Sequence, residues 1–191
     1  MKKFNLFALV LSKILEVIHW IGCVGMFVLM IASIAVKEPL IDLLSRGIPK
    51  YGAELSTYGF SIVATDSTGS IIPVSITLFS IGAIIILSLM AMVFRNAYLI
   101  FRTAKGKTWF AKGVTPFQKD ITRMVKEIGI FYISVPIVGL VMSVIARIVI
   151  GVEMAEISVD MGSIVTGILM LCLSQVFAYG TQLQGDVDGL L

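Results

Sequence analysis

The chain has 191 residues, of which 58% are hydrophobic and 14% are charged, with a formal net charge of +3. A soluble domain of this length has no interior large enough for so much apolar surface, so the composition excludes an ordinary soluble globular protein. The net charge is small and its basic part adjoins apolar stretches, which excludes a nucleic-acid-binding module. The composition therefore predicts an integral membrane protein.

Four apolar stretches have the length of about 20 residues that a bilayer core requires. The expected spans are residues 17–36, 71–94, 128–150 and 161–179. They use nearly the whole chain, so we predict a single all-α membrane domain with four transmembrane helices.

The residues before the first span carry Lys2 and Lys3 and then an apolar pattern of helical period, interrupted by Lys13 and Glu16. This pattern predicts an amphipathic lead-in that lies along the inner membrane surface. A signal peptide is the alternative, because Ser33-Ile34-Ala35 resembles a cleavage site. The apolar run is longer than a signal sequence needs, so we expect a retained first helix.

The next stretch, residues 37–70, has three basic and four acidic residues and is expected to be an outer loop. Within it, Leu55 to Thr65 is rich in strand-forming residues and is followed by Asp66-Ser67-Thr68-Gly69, a turn sequence. The pattern predicts a small outer β-hairpin. Glu156 to Val159, in the short acidic turn before the fourth span, is a candidate third strand.

Residues 95–127 form a basic hinge that holds eight of the fifteen Lys and Arg residues against two acids. Positive flanks stay on the cytoplasmic side, so we expect the hinge and both termini to be cytoplasmic. The second helix should continue to a stop at Gly106. Thr115 as N-cap, Pro116 and Gln118 predict a capping box that starts the third helix. The hinge is therefore expected to be a cytoplasmic helical hairpin.

Two features of the spans bear on helix packing. Pro136 lies inside the third span and predicts a kink. Gly139 with Ser143, and Ser163 with Gly167, are small residues four apart, which predicts close helix contacts.

The hinge also supplies the main candidate site, because Trp109 and Phe110 stand among Lys105, Lys107 and Lys112. Aromatic residues among lysines either lie in the headgroups of anionic lipid or anchor a protein partner, and the sequence leaves both open. The tail residues Gln184, Asp186 and Asp188 end on the same side. They either complete a docking surface or neutralise the hinge.

His19, Cys23, Met26 and Met30 recur on one face of the first helix, which makes them weak candidates for a soft-metal site. We expect them to pack against other helices instead, since Met fills gaps and buried Cys is ordinarily inert. We predict no metal and no cofactor.

Arg147 is the single basic residue inside the third span. A charge inside a span is a functional candidate, here for coupling to a substrate. It lies one turn from the outer end, so we expect it to reach the surface and meet Glu153 or Glu156.

The sequence shows no motif for catalysis. Gly106-Lys107-Thr108 resembles the end of a phosphate-binding loop, but Phe101 stands where that motif needs another glycine. The spans hold too few polar groups for acid–base chemistry, so we do not expect an enzyme.

Two segments resemble a bacterial family of membrane proteins, the domain of unknown function 2975. They are Ala104 to Phe110 and the ending from Leu173-Ser174-Gln175-Val176-Phe177 to Asp188, although Gly185 stands where members often have an acid. The resemblance implies four spans in the bacterial cytoplasmic membrane. It also implies a partner, because genes of this family often adjoin one for a helix-turn-helix regulator of the Xre type.

These observations favour a non-enzymatic regulatory or sensory membrane protein that engages a cytoplasmic partner through its hinge and tail. One alternative is a small transport or self-protection protein that uses Arg147, Gln175 and the His19 face. The other is an accessory subunit of a membrane complex.

Overall fold

The protein is mainly helical in the computed structural model, which describes residues 2–45 and 52–188. Helices α1, α3, α4 and α5 are long and apolar enough to cross a membrane, so the chain has the build of a multi-pass membrane protein. In chain order the elements are α1 (Lys2–Ala35), α2 (Lys37–Ser45), β1 (Glu54–Thr57), β2 (Phe60–Val63), α3 (Pro73–Thr103), α4 (Lys119–Val149), a 3-10 turn (Val152–Met154) and α5 (Met161–Asp188). The prediction of four long apolar helices is confirmed. Each of them extends beyond its predicted span at the end that adjoins the hinge or a terminus.

The described chain divides into two compact units. The hinge unit comprises Met1–His19, Leu89–Ser134 and Gly162–Leu191. The hairpin unit comprises Trp20–Ser88 and Val135–Met161.

The predicted lead-in is not a separate segment, because α1 runs without a break from Lys2 to Ala35. Its apolar side chains Leu6, Phe7 and Val10 are exposed, whereas Ser12 and Glu16 are buried. A helix that turns its polar side chains inward and its apolar ones outward suits a lipid surrounding. The helix therefore begins at Lys2, and the placement of its first residues along the membrane surface stays a prediction.

The loop between α1 and α3 contains α2 and a two-stranded antiparallel hairpin. The hairpin turns at Tyr58 and Gly59, which both have positive φ (46° and 81°), as a two-residue turn of type I′ requires. The predicted turn at Asp66 is a separate one that follows the strands. There the Asp66 carboxylate accepts hydrogen bonds from Thr68 N (2.8 Å) and Ser70 N (2.9 Å).

The expected third strand is absent from the described residues, since Glu156 to Val159 has no regular secondary structure. The segment still contacts the hairpin, because Ser158 Oγ donates to the Gly59 carbonyl (3.0 Å). Alternation of apolar and polar residues was too short a signal to predict a strand.

Phe60 fixes the hairpin to the helices of its unit. Its side chain is fully buried and stacks on Phe79 of α3 at 5.8 Å between ring centroids. Gly82 of α3 leaves room for the ring, and Gly139 of α4 lies against the Phe60 Cβ. Gly82 is nine residues from Pro73, or about 14 Å along the helix. The hairpin is thus packed deep between α3 and α4 and is not a loop lying free beyond their ends.

Helices α4 and α5 touch at Gly129 and Gly167 in the hinge unit. A Cβ on either residue would come within 2.8 Å of the other's carbonyl oxygen. The small pair Ser163 and Gly167 thus marks a real contact, as small residues do in membrane helices. Gly139, of the other pair, serves the hairpin. Pro136 lies inside α4.

Candidate functional site: the basic hinge and the end of α5

The first boundary of the hinge is the end of α3, which has the geometry of a Schellman motif. Gly106 has φ 66°, its N–H donates to the Thr103 carbonyl (2.9 Å), and Lys107 N–H donates to the Arg102 carbonyl (2.9 Å). The helix therefore stops where Gly106 predicts. The Arg102 guanidinium adds a bond to the Lys107 carbonyl (2.9 Å), which holds the turn.

The second boundary differs from the prediction, because α4 begins at Lys119 and the capping box is not formed. Thr115 Oγ1 accepts a bond from Phe117 N–H (3.2 Å) in a local turn. The first helical carbonyl is that of Gln118, which accepts from Thr122 N–H (3.0 Å). The sequence predicted Thr115 as the N-cap because Pro116 suits a first helical position. In the structure, residues 116–118 belong to the loop, and the helix begins only at Lys119.

Gln118 holds the hinge loop together through its side-chain hydrogen bonds. The sequence did not predict this role. The residue is only 4% exposed. Its Nε2 donates to the Thr115 and Gly113 carbonyls (2.7 and 3.2 Å), and its Oε1 accepts from Lys112 N–H (2.8 Å). A loop with little regular structure needs side chains to satisfy its backbone groups, and a long amide can both donate and accept. Gln118 therefore takes the place of secondary structure in this loop.

A small apolar core lies beneath the loop. Ile121, Met124 and Val125 of α4 are buried, and Phe110 packs against this cluster. Trp109, by contrast, is 96% exposed, with its ring 5.4 Å from that of Phe110 in an edge-to-face arrangement. Trp109 is thus almost fully exposed, whereas Phe110 is half-buried against the core of the hinge.

The basic residues of the site lie on both sides of Trp109 in the sequence. Lys107 and Lys112 are exposed, and Lys105 is half-buried. In the part of the chain that the structure describes, none of these three lysines makes a salt bridge with a carboxylate. The loop therefore presents one fully exposed indole together with cationic side chains.

The end of α5 joins the hinge, as the sequence suggested for the tail. The residues from Thr181 onward continue α5 as helix up to Asp188, so this end is not a flexible tail. Thr115 Oγ1 donates to Gln184 Oε1 (2.8 Å). Asp186 is exposed, whereas the side chain of Asp188 lies outside the described part of the structure.

Aromatic packing reinforces this junction. The Phe117 and Phe177 rings lie 6.0 Å apart. Gly180 leaves room for the Phe117 ring, since a Cβ there would overlap it. The hinge loop and the end of α5 therefore form one surface.

Polar contacts tie α3 to α4 below the loop. The buried Asn96 Nδ2 donates to Glu127 Oε2 (2.9 Å), and Arg123 Nε lies 3.5 Å from Glu127 Oε1. Arg123 also approaches Asp120 at 3.7 Å. These contacts account for both acids of the hinge.

A second cluster joins α1 to α3 around Tyr98. Lys13 forms a 2.9 Å ion pair with the buried Glu16 and lies 5.3 Å from the Tyr98 ring centroid. Arg102 lies 5.7 Å from the same centroid and donates to the Tyr98 hydroxyl (3.3 Å). The ion pair with Glu16 and the contact with the Tyr98 ring account for Lys13 and Glu16, the two charges that interrupt the apolar pattern of α1.

The candidate metal ligands contact other parts of the protein. His19 is buried, its Nδ1–H donates to the Leu15 carbonyl (2.7 Å), and its ring lies 5.0 Å from that of Phe94. Cys23 lies 3.0 Å from Ser88 Oγ. Met26 and Met30 are half-buried. Among the described residues there is no group of three or more His, Cys, Asp or Glu side chains placed to hold a metal ion.

Arg147 lies in the last turn of α4, and its Nε donates to the Ala155 carbonyl (2.9 Å). Neither Glu153 nor Glu156 is within salt-bridge distance of it in the described structure. The expected ion pair was therefore wrong. A backbone carbonyl of the connection to α5 is the partner.

No family model, no curated protein and no solved structure matches the chain.

Proposed function

We propose that the protein is a non-enzymatic regulatory membrane protein that docks a cytoplasmic partner on its hinge and on the end of α5. The observation that supports this most is the contrast between Trp109, 96% exposed, and the rest of a loop whose backbone is held by Gln118. A fixed loop that presents one large aromatic side chain loses little entropy on binding. Trp is also among the residues that dominate interface energetics.

The proposed orientation puts the hinge and both termini in the cytoplasm, because Lys and Arg flanks resist translocation. From Arg95 to Thr103, α3 continues for nine residues beyond its predicted span, which is about 14 Å. That length carries Trp109 clear of the hydrocarbon core, where a soluble partner can reach it.

The resemblance to the family of domain of unknown function 2975 suggests the class of partner. A helix-turn-helix regulator of the Xre type, held at a bacterial cytoplasmic membrane, is the proposed occupant of the hinge surface. Binding there would keep such a regulator away from DNA until a signal reaches the membrane protein.

Site-specific photo-crosslinking tests the proposal. A photoreactive phenylalanine at position 109 should crosslink one soluble regulator in cells, whereas the same residue at Trp20 of α1 should not. Trp20 is the matched control because it is the other tryptophan of the chain and is also exposed, at 42%. Trp109→Ala should abolish co-purification of the crosslinked protein. Crosslinks to lipid alone at position 109 would disprove partner docking. Phe110 is left intact, because it belongs to the hinge core.

A further inference from the structure

A groove lies beside the hinge, between the first turns of α4 and the last turns of α5. It consists of two adjoining cavities of about 470 and 250 Å³ that share Lys119, Thr181 and Gly185. We call it the tail groove. Gly185 borders open space there, since a Cβ at that position would meet no atom within 4 Å. At Gly129 and Gly167 the same two helices are in contact, so the groove forms where they separate toward the hinge.

The threonine hydroxyl groups that line the groove already donate hydrogen bonds within the protein. Thr122 and Thr181 each donate to the carbonyl four residues earlier in the chain, at 3.3 and 2.8 Å. Thr115 donates to Gln184 Oε1 (2.8 Å). These side chains shape the groove and leave the recognition of a ligand to other groups.

Two lysines and the amide groups of Gln182 and Gln184 remain, with the exposed carboxylate of Asp186 next to Gly185. Lys112 and Lys119 line the groove with exposed ammonium groups. Because Gln184 Oε1 accepts from Thr115, its amide N–H groups remain, and no acceptor takes them among the described residues. The amide of Gln182 lines the larger cavity. Of the nearby acids, Asp120 faces Arg123 at 3.7 Å. Such a set of donors selects an anion.

Apolar side chains are exposed elsewhere on the same two helices. Ile130 of α4 is 45% exposed, and Tyr179 and Leu183 of α5 are 65% and 49% exposed. Thr122, at the inner end of the groove, is six residues from Ile128, where the apolar part of α4 begins. That separation is about 9 Å, close to the depth of the headgroup layer beside a hydrocarbon core. A ligand with an anionic head and apolar chains fits both features.

We propose that the tail groove binds the headgroup phosphate of an anionic phospholipid, with the acyl chains along the exposed apolar surfaces of α4 and α5. Basic pockets between membrane helices bind anionic headgroups for the same reason, since charge and apolar contact act together. The bilayer that four apolar helices require also supplies this ligand at high local concentration. The site does not include Trp109, although it shares Lys112 and Gln184 with the surface proposed for the partner.

Native mass spectrometry of the full chain in mild detergent tests the proposal, with phosphatidylglycerol and phosphatidylcholine of identical acyl chains as probes. Wild type should retain phosphatidylglycerol preferentially. Lys112→Gln with Lys119→Gln should lower that preference by about tenfold to thirtyfold, as expected for two lysines near a lipid surface. Gly185→Leu, which fills the groove without changing charge, should lower it as well. The control pair Lys105→Gln with Lys107→Gln removes the same charge outside the groove and should keep the preference.

Three outcomes would overturn the proposal. An equal loss in the control pair would mean that binding follows the general charge of the hinge. Full displacement by glycerol 3-phosphate at millimolar concentration would assign the groove to a small soluble phosphate. Groove variants that keep phosphatidylglycerol but lose the protein crosslinked at position 109 would assign the groove to the partner. Loss of co-purification in Trp109→Ala alone bears only on the proposed function.

Discussion

The Phe60 ring of β2 occupies the position that a side chain at Gly82 of α3 would need. A Cβ on Gly82 would lie 2.5 Å from Phe60 Cε1. Backbone hydrogen bonds beyond the strand ladder also hold the hairpin within the protein. Ala64 N–H donates to the Ala53 carbonyl (2.7 Å), for example. The hairpin is thus an integral part of the packing of its unit.

This relationship predicts a coupled pair of mutations. Phe60→Ala should destabilise the protein by about 3–5 kcal/mol through the cavity it leaves. Gly82→Ala should cost about 1–3 kcal/mol through overpacking. The double variant should be more stable than the sum of the two effects, because the new methyl group enters the vacated space. Thermal unfolding in detergent measures each variant.

Gly25→Ala is the matched control for this pair, since a Cβ at that helical glycine meets nothing within 4 Å. It should leave the unfolding temperature unchanged. Strict additivity of the Phe60 and Gly82 effects would show that the two residues are not in contact.

Gln118 predicts how the hinge is held. Gln118→Ala should leave the Gly113 and Thr115 carbonyls and Lys112 N–H without their partner, at a cost of about 1–3 kcal/mol for each group that stays buried. Hydrogen exchange of residues 107–118 should accelerate while the rest of α3 and α4 keeps its protection. Gln182→Ala, at an exposed amide of α5, is the control and should leave exchange in the hinge unchanged. Unchanged hinge protection in Gln118→Ala would contradict the assigned role.

Asp66 predicts a pH dependence in the turn before α3. Its pKa is lowered from the ordinary value of 3.8, first by the hydrogen bond from the Thr68 side chain and then by that from Ser70 N–H. A carboxylate with a lowered folded-state pKa stabilises the fold above 3.8, and this contribution disappears as the pH falls through the lower, folded-state value. Amide exchange at Ser70 should therefore rise only below pH 3.8.

Asp66→Asn is the control for this titration, because asparagine keeps an acceptor oxygen and does not titrate. The variant should lose the pH dependence at Ser70. A transition at or above pH 3.8 in the wild-type turn would contradict the assigned hydrogen bonding.

The contact of α4 with α5 predicts the effect of side chains at its centre. Gly167→Ala would place its Cβ 2.5 Å from Ile133 Cγ1 and 2.8 Å from the Gly129 carbonyl. The helices should separate locally, and the unfolding temperature in detergent should fall. Gly185→Ala adds the same methyl group to α5 in open space and should leave that temperature unchanged. Equal effects of the two substitutions would argue against a specific contact.

The orientation is tested with single cysteines on a background of Cys23→Ser and Cys172→Ser. Ser67 and Lys107 are both exposed, so both positions are accessible to reagents in solution. An impermeant reagent applied to intact cells should label Ser67→Cys and should not label Lys107→Cys. The reverse pattern would invert the proposed orientation and remove the cytoplasmic hinge.

The sequence alone determined the class of molecule, because apolar length is a local property. Four runs of sufficient length predicted four long helices, and the stop at Gly106 followed from one residue's freedom to adopt positive φ. The exposed Trp109 among lysines also followed from the sequence, since a basic, loop-forming segment between apolar helices has little core to enter.

Only the tertiary structure decided which side chains meet. Gly82 and Gly139 are ordinary small residues until the hairpin places Phe60 against them. Phe110 of the loop packs against the hinge core because buried residues of α4 lie beneath it. The sequence predicted Gln118 as part of a helix cap, whereas in the structure its amide bonds to backbone groups of the hinge loop. No local sequence rule predicts those partners. Arg147 donates to the Ala155 carbonyl, whereas the sequence suggested the carboxylate of Glu153 or Glu156 as its partner. Contacts of this kind depend on segments far apart in the chain, and periodicity and propensity describe only neighbours.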